Sequence, residues 1–139
     1  MRKYEVGRSE DGYTIIDKND YTQKLVDFIL KINYDNLPEG SLDISKQAII
    51  DSVGVICAAV SEPMSVPTTA YLDTCPAEPQ STVIGLKRKS SMINAAFING
   101  CLNHCIDFDD CCFPSVSHST ATYIGTMLAI GEHLHLSGK

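Results

Sequence analysis

"SSMINAAFINGCLNHCIDFDDCCFPSVSH", residues 90–118, is the stretch on which the reading of this chain turns. Ser90 or Ser91 fits the start of a helix, where a hydroxyl accepts from a first-turn amide that lacks an intrahelical partner. Met92, Ala95, Ala96, Asn99, Leu102, Asn103 and Ile106 then recur at the helical period, which predicts a helix from about Met92 to Ile106. Ala95, Ala96 and Gly100 are small and suit tight packing. Past this run come Asp107, Asp109 and Asp110, flanked by His104 and His118 and followed by the adjacent Cys111 and Cys112. The fourfold spacing of Asn99, Asn103 and Asp107 puts them on one helix face, aimed at the acidic cluster.

Such a cluster has a chemical consequence. Negative charge is unfavourable at a helix C-terminus, and neighbouring carboxylates repel one another. At least one of the three carboxyls should therefore have its pKa raised, which suits it to moving protons. His118 follows a loop containing Pro114 and stands at the head of the next helix, so a carboxylate and an imidazole brought together could share acid and base roles. The plainer reading is a solvated helix end beside a polar loop histidine. Cys101, Cys105, Cys111, Cys112, His104 and His118 could supply metal ligands, but C-x3-C followed by adjacent cysteines matches no common zinc spacing. No metal is assigned.

Outward from this stretch, the rest of the chain also reads as helix. Asp20, with Gln23 in the capping-box position, should open a helix carrying Leu25, Val26, Phe28, Ile29 and Ile32 to about Asn33. "YDNLPEGS", residues 34–41, is a connector, and Ser41 or Asp43 can cap a second helix ending near Ser61. Its stripe of Ala48, Ile49, Val53, Ile56, Cys57 and Val60 should be buried, and Gly54 within it suggests a close helix–helix approach. Residues 63–80 hold Pro63, Pro67, Pro76 and Pro79 and read as irregular, apart from a short helical piece around Thr69 to Asp73. "STVIG", 81–85, is the one short extended stretch, and "LKRKSS", 86–91, an exposed basic segment. The Lys87-Arg88-Lys89 run could offer an anion site with the following helix N-terminus, although charge runs usually face water. A fourth helix starts after His118 and runs through Tyr123, Met127, Ala129, Ile130 and Leu134, with Gly138 just past its end. The expected fold is all-α: about four main helices over residues 20–139, preceded by a flexible lead at 1–19.

The chain has 139 residues, a net charge of −6 and 44% hydrophobic residues, enough for one domain with a real core. Its basic residues are dispersed, so no nucleic-acid face is expected. No apolar run approaches the roughly 20 residues a bilayer span needs. The N-terminus lacks the apolar core of a secretion signal, which favours a cytoplasmic or mitochondrial setting. In such a compartment the six cysteines are read as reduced thiols, with Cys57 and Cys101 as small core residues.

Four segments carry a resemblance: "LVDFILKINYDNLP", "AIIDSVGVICAAVSEP", "STVIGLKRKSSMINAAFINGCLNHCIDFDD" and "FPSVSHSTATYIGTMLAIGE". At their centre is A-A-x-x-N-G-x-x-x-H-x-x-D-F-D-D with a histidine downstream. This resembles the N-terminal part of the MmgE/PrpD family, typified by 2-methylcitrate dehydratase and cis-aconitate decarboxylase. The resemblance implies a mostly helical large domain with a smaller α+β lid, homodimers, and lyase or epimerase chemistry on small di- and tricarboxylates without metal or organic cofactor. By position Asp107 and His118 match residues implicated in proton transfer, and Cys111 and His104 fall where substrate is bound. Cys111 stands where threonine is common, and a thiol is the weaker hydrogen-bond donor. Ser119 stands where proline is common. The later lysine, histidine and tyrosine of the family's pocket, the remaining helices and the lid have no counterpart in these 139 residues, so the resemblance implies that they do not turn over substrate by themselves. A non-catalytic helical module that pairs through exposed apolar stripes is the alternative.

Overall fold

A computed structural model describes residues 5–9, 12–16, 20–114 and 116–138 of the chain. Two compact units divide at Pro38. In the first, strands β1 (Glu5–Ser9) and β2 (Gly12–Ile16) pair antiparallel, Glu5 opposite Ile16 and Ser9 opposite Gly12, where the sequence reads as a loose lead. Residues 1–4, 10, 11 and 17–19 of that lead lie outside the described residues. Helix α1 (Tyr21–Lys31) follows. Asp20 precedes it at φ 50° without a side-chain cap, and Gln23 donates instead to Asp27 at 2.8 Å, so the expected capping box is not formed. Asn33 and Asn36 supply a reciprocal cap one turn later, around a short 3-10 turn at Tyr34–Asn36.

The second unit is built on four helices and one hairpin. Helix α2 (Ser41–Ala59) buries Ser52, Val55, Ile56 and Ala59. This face is rotated from the expected stripe, so Cys57 is exposed. Helix α3 (Ser65–Thr74) contains the short helical piece expected at Thr69 to Asp73 and extends it back into the proline-rich region read as irregular. Pro67 lies in its first turn, where a missing N–H costs nothing because that amide has no helical acceptor.

Strands β3 (Ser81–Val83) and β4 (Arg88–Ser90) then pair antiparallel, with Ser81 opposite Ser90 and Val83 opposite Arg88. Gly85 turns the hairpin at φ 82°, with Val60 so near that a Cβ would lie 2.6 Å from its Cγ2. The basic run is thus largely strand. Arg88 pairs with Asp73 at 2.9 Å and Lys89 with Glu132 at 2.6 Å, which removes two of its three charges from any free anion site.

Helix α4 (Met92–His104) is capped by Ser91, which accepts from the Asn94 N–H, and helix α5 (Ser119–His133) packs against it. The two approach through glycines. A Cβ on Gly125 would meet the Gly100 nitrogen at 2.8 Å and the Ala96 carbonyl oxygen at 3.1 Å. Ile56, Ala59, Leu72, Val83, Ala95, Ile98, Leu102 and Ala129 form the core. The hairpin is fastened to both helices: the Asn99 side chain accepts from the Ile84 N–H at 2.9 Å and donates to the Thr82 carbonyl at 3.1 Å. On α5, Glu132 accepts from the Thr82 N–H, the Thr82 hydroxyl and Lys89. These contacts, led by Lys89, hold its carboxyl down at about 2.

Candidate active site

The acidic stretch separates into three different carboxylates. Helix α4 stops at His104, two residues short of the expected end, and the Asp107 N–H closes the turn on the His104 carbonyl at 3.1 Å. Asp107 itself takes φ 55°, a left-handed conformation that aspartate tolerates better than most side chains. The fourfold spacing from Asn99 therefore does not continue to Asp107. Asn99 is buried and committed to the hairpin, not to the acidic cluster.

Asp107 and Phe108 are exposed, and Phe108 projects without cover. The Asp109 side chain has no exposed surface. Both of its oxygens face the His104 Nδ1, at 2.9 and 3.1 Å, and Oδ1 lies 3.4 Å from the His118 Nδ1. Asp110 turns the other way and accepts from the Thr120 N–H at 2.7 Å, in the first turn of α5. It caps a helix that His118, the residue at the N-cap, leaves without a side-chain acceptor. The Thr120 hydroxyl close by and the Thr120 N–H that donates to it hold the Asp110 carboxyl below the usual range, and His118 adds to this against the effect of burial. For Asp110 the donors at the helix N-terminus outweigh the cost of burial.

The loop brings His118 back to the end of α4. Cys112 and Ser117 form an isolated antiparallel bridge, the Cys112 N–H donating to the Ser117 carbonyl at 2.8 Å. The next residue is then His118, whose ring centroid lies 4.8 Å from that of His104, edge to face. One ligating atom from each of His104, Asp107, Asp109 and His118 lies within 4.8 Å of all the others. The sequence-predicted pair, Asp107 and His118, is thus brought together, with His104 beside it. If a cation were held here, these four residues and not the cysteine set would hold it.

A groove of about 550 Å³ runs along the α4–α5 seam past the two rings and is walled by Ala96, Phe97, Gly100, Cys101 and Ala121. Neither Lys nor Arg lines it among the described residues. Cys111 is exposed and is not part of this lining, whereas Cys101 is, its thiol pKa pushed up by burial and by Cys105 nearby. Sequence reasoning did not single out Asp109 or the structural duty of Asp110. The available signal was burial: of three adjacent acids, at least one must find partners if the chain folds back over it.

A mostly helical unit thus carries an Asp–His cluster at the seam of a helix pair. The chain belongs to the MmgE/PrpD family: the MmgE/PrpD N-terminal domain matches residues 23–139. No curated protein matches the chain.

Proposed function

We propose that this chain supplies the proton-transfer wall of an MmgE/PrpD-type lyase acting on small di- or tricarboxylates such as 2-methylcitrate or cis-aconitate. Asp107 and His118 are the proton-transferring groups, and His104 contacts substrate beside them. Cys111 stands at the loop edge, where a shift of the exposed loop toward bound substrate would bring its thiol into play. The observation that carries this reading is the convergence of the Asp107, His104 and His118 ligating atoms within 4.8 Å.

Removing a proton next to a carboxylate builds negative charge, and substrate carboxylates add more. An imidazole can take the proton and return it, while a carboxylate at the same wall serves as the complementary group. Among the described residues the groove supplies shape but no lysine or arginine, so charge-neutralising groups would come from elsewhere in the assembled enzyme, expected to be a homodimer.

The test uses protein expressed from the complete reading frame, incubated with cis-aconitate or 2-methylcitrate in D2O and followed by proton NMR. Release of water or carbon dioxide, or deuterium uptake at the substrate carbon, is expected. Asp107→Asn and His118→Gln should each lower kcat/KM at least about 100-fold, the scale of lost acid–base catalysis. Full turnover in both variants would move the chemistry to other residues.

A further inference from the structure

The interior position of Asp109 constrains where the protons sit on both histidines. A carboxylate with no exposed surface must be matched by donors. Among the described residues its hydrogen-bond partner is the His104 Nδ1, at 2.9 and 3.1 Å; the His118 Nδ1, buried and making no hydrogen bond, lies 3.4 Å from Oδ1, where a lone pair would face the carboxylate's negative charge. An ionised carboxylate only accepts, so a neutral ring that satisfies it carries its proton on Nδ1. The other nitrogen, Nε2, then bears the lone pair and lies on the ring edge away from Asp109. Both rings are partly open to solvent, 53% for His104 and 36% for His118, and both line the groove along the α4–α5 seam.

We propose that Asp109 is a positioning residue: one buried carboxylate fixes the Nδ1–H tautomer of His104 and His118 together and so presents two Nε2 lone pairs to the groove. The inference rests on the proton-transfer reading of His118 and adds the residue that sets which nitrogen of this ring carries the proton. Neither Asp107 nor Asp110 can do this. Asp107 is exposed, and Asp110 is committed to the Thr120 N–H. The arrangement follows the general rule that a histidine's reactive nitrogen is set by the hydrogen bond made at its other nitrogen.

Long-range proton–nitrogen NMR of the imidazoles tests this on the chain itself, at a pH where both rings are neutral. In the unaltered chain, Nδ1 of both His104 and His118 should resonate as the protonated nitrogen and Nε2 as the unprotonated one. Finding the proton on Nε2 of either ring overturns the proposal, and this needs no variant to fold. Asp109→Asn places an amide donor beside Nδ1 and should switch at least the His104 ring to the Nε2–H form. Unchanged tautomers in a folded variant would also overturn it.

In turnover, Asp109→Asn should lower kcat by ten- to a hundredfold with KM changed less than threefold, and an unaltered kcat would overturn the positioning role. The two readings fail separately. Nδ1–H rings in a protein whose turnover ignores His118→Gln would remove His118 from the chemistry and leave the tautomer assignment standing.

Discussion

Asp110 shows how one carboxylate can belong to structure while its neighbours belong to the site. It accepts from the Thr120 N–H at 2.7 Å and faces the positive end of α5. Asp110→Ala should therefore destabilise the fold by about 1 kcal/mol, the usual value of a lost N-cap acceptor, measured by thermal or urea unfolding near neutral pH. The sign with pH is definite. A carboxyl whose pKa is lowered by folding stabilises the native state above its ordinary value of 3.8, and the contribution fades as pH falls below that toward the native pKa. Between pH 5 and pH 3 the difference between the original protein and Asp110→Ala should narrow, and a constant difference would disprove the capping role. At this scale the sequence was legible in part. The types and order of His104, Asp107 and His118 marked residues that the fold does bring together, but the division of labour within Asp107, Asp109 and Asp110 was not legible. It depends on α4 stopping at His104, on the left-handed turn at Asp107 and on the Cys112–Ser117 bridge, none of which has a helical or strand period to read.

Among the elements, two glycines in helices have opposite reasons to be there. Gly54 in α2 has nothing within 4 Å of where a Cβ would sit, so the close approach expected there is absent. Gly54→Ala should stabilise the protein by about 0.5–1 kcal/mol through helix propensity. Gly125 in α5 is the real contact point, because an added Cβ would press on the α4 backbone at 2.8 Å. Gly125→Ala should cost about 1–3 kcal/mol, as overpacking does. Paired urea melts decide the matter, and a stabilising Gly125→Ala would refute the seam as drawn. The apolar period revealed α1, α2, α4 and α5 in advance, but sequence alone could not say which glycine meets a neighbour. It also missed the first half of α3, because Pro63 and Pro67 look like breakers until Pro67 is seen in a first turn. It missed β4 because Arg88 and Lys89 look solvated until Asp73 and Glu132 arrive from distant elements to pair with them.

Across the molecule, the helices of the second unit carry apolar side chains on more than their core-facing side. Ile44 and Ile50 on α2, Ile93 and Phe97 on α4, and Tyr123 and Met127 on α5 are all more than half exposed. Helices apolar on several faces are ordinarily covered, and an uncovered apolar surface of this kind promotes association. The net charge of −6 opposes association only weakly at physiological salt, where screening acts within about 8 Å. The 139-residue chain should thus self-associate as its concentration rises. Light scattering behind size-exclusion chromatography should give a mass above 15.2 kDa that falls on dilution. High salt should favour the larger species, since it screens repulsion and leaves apolar burial intact. Ile44→Lys with Ile50→Lys should shift the equilibrium toward monomer without lowering the melting temperature, because both side chains already lie in solvent. A chain that stays monomeric at high concentration would mean that these exposed faces are too scattered to act as one surface.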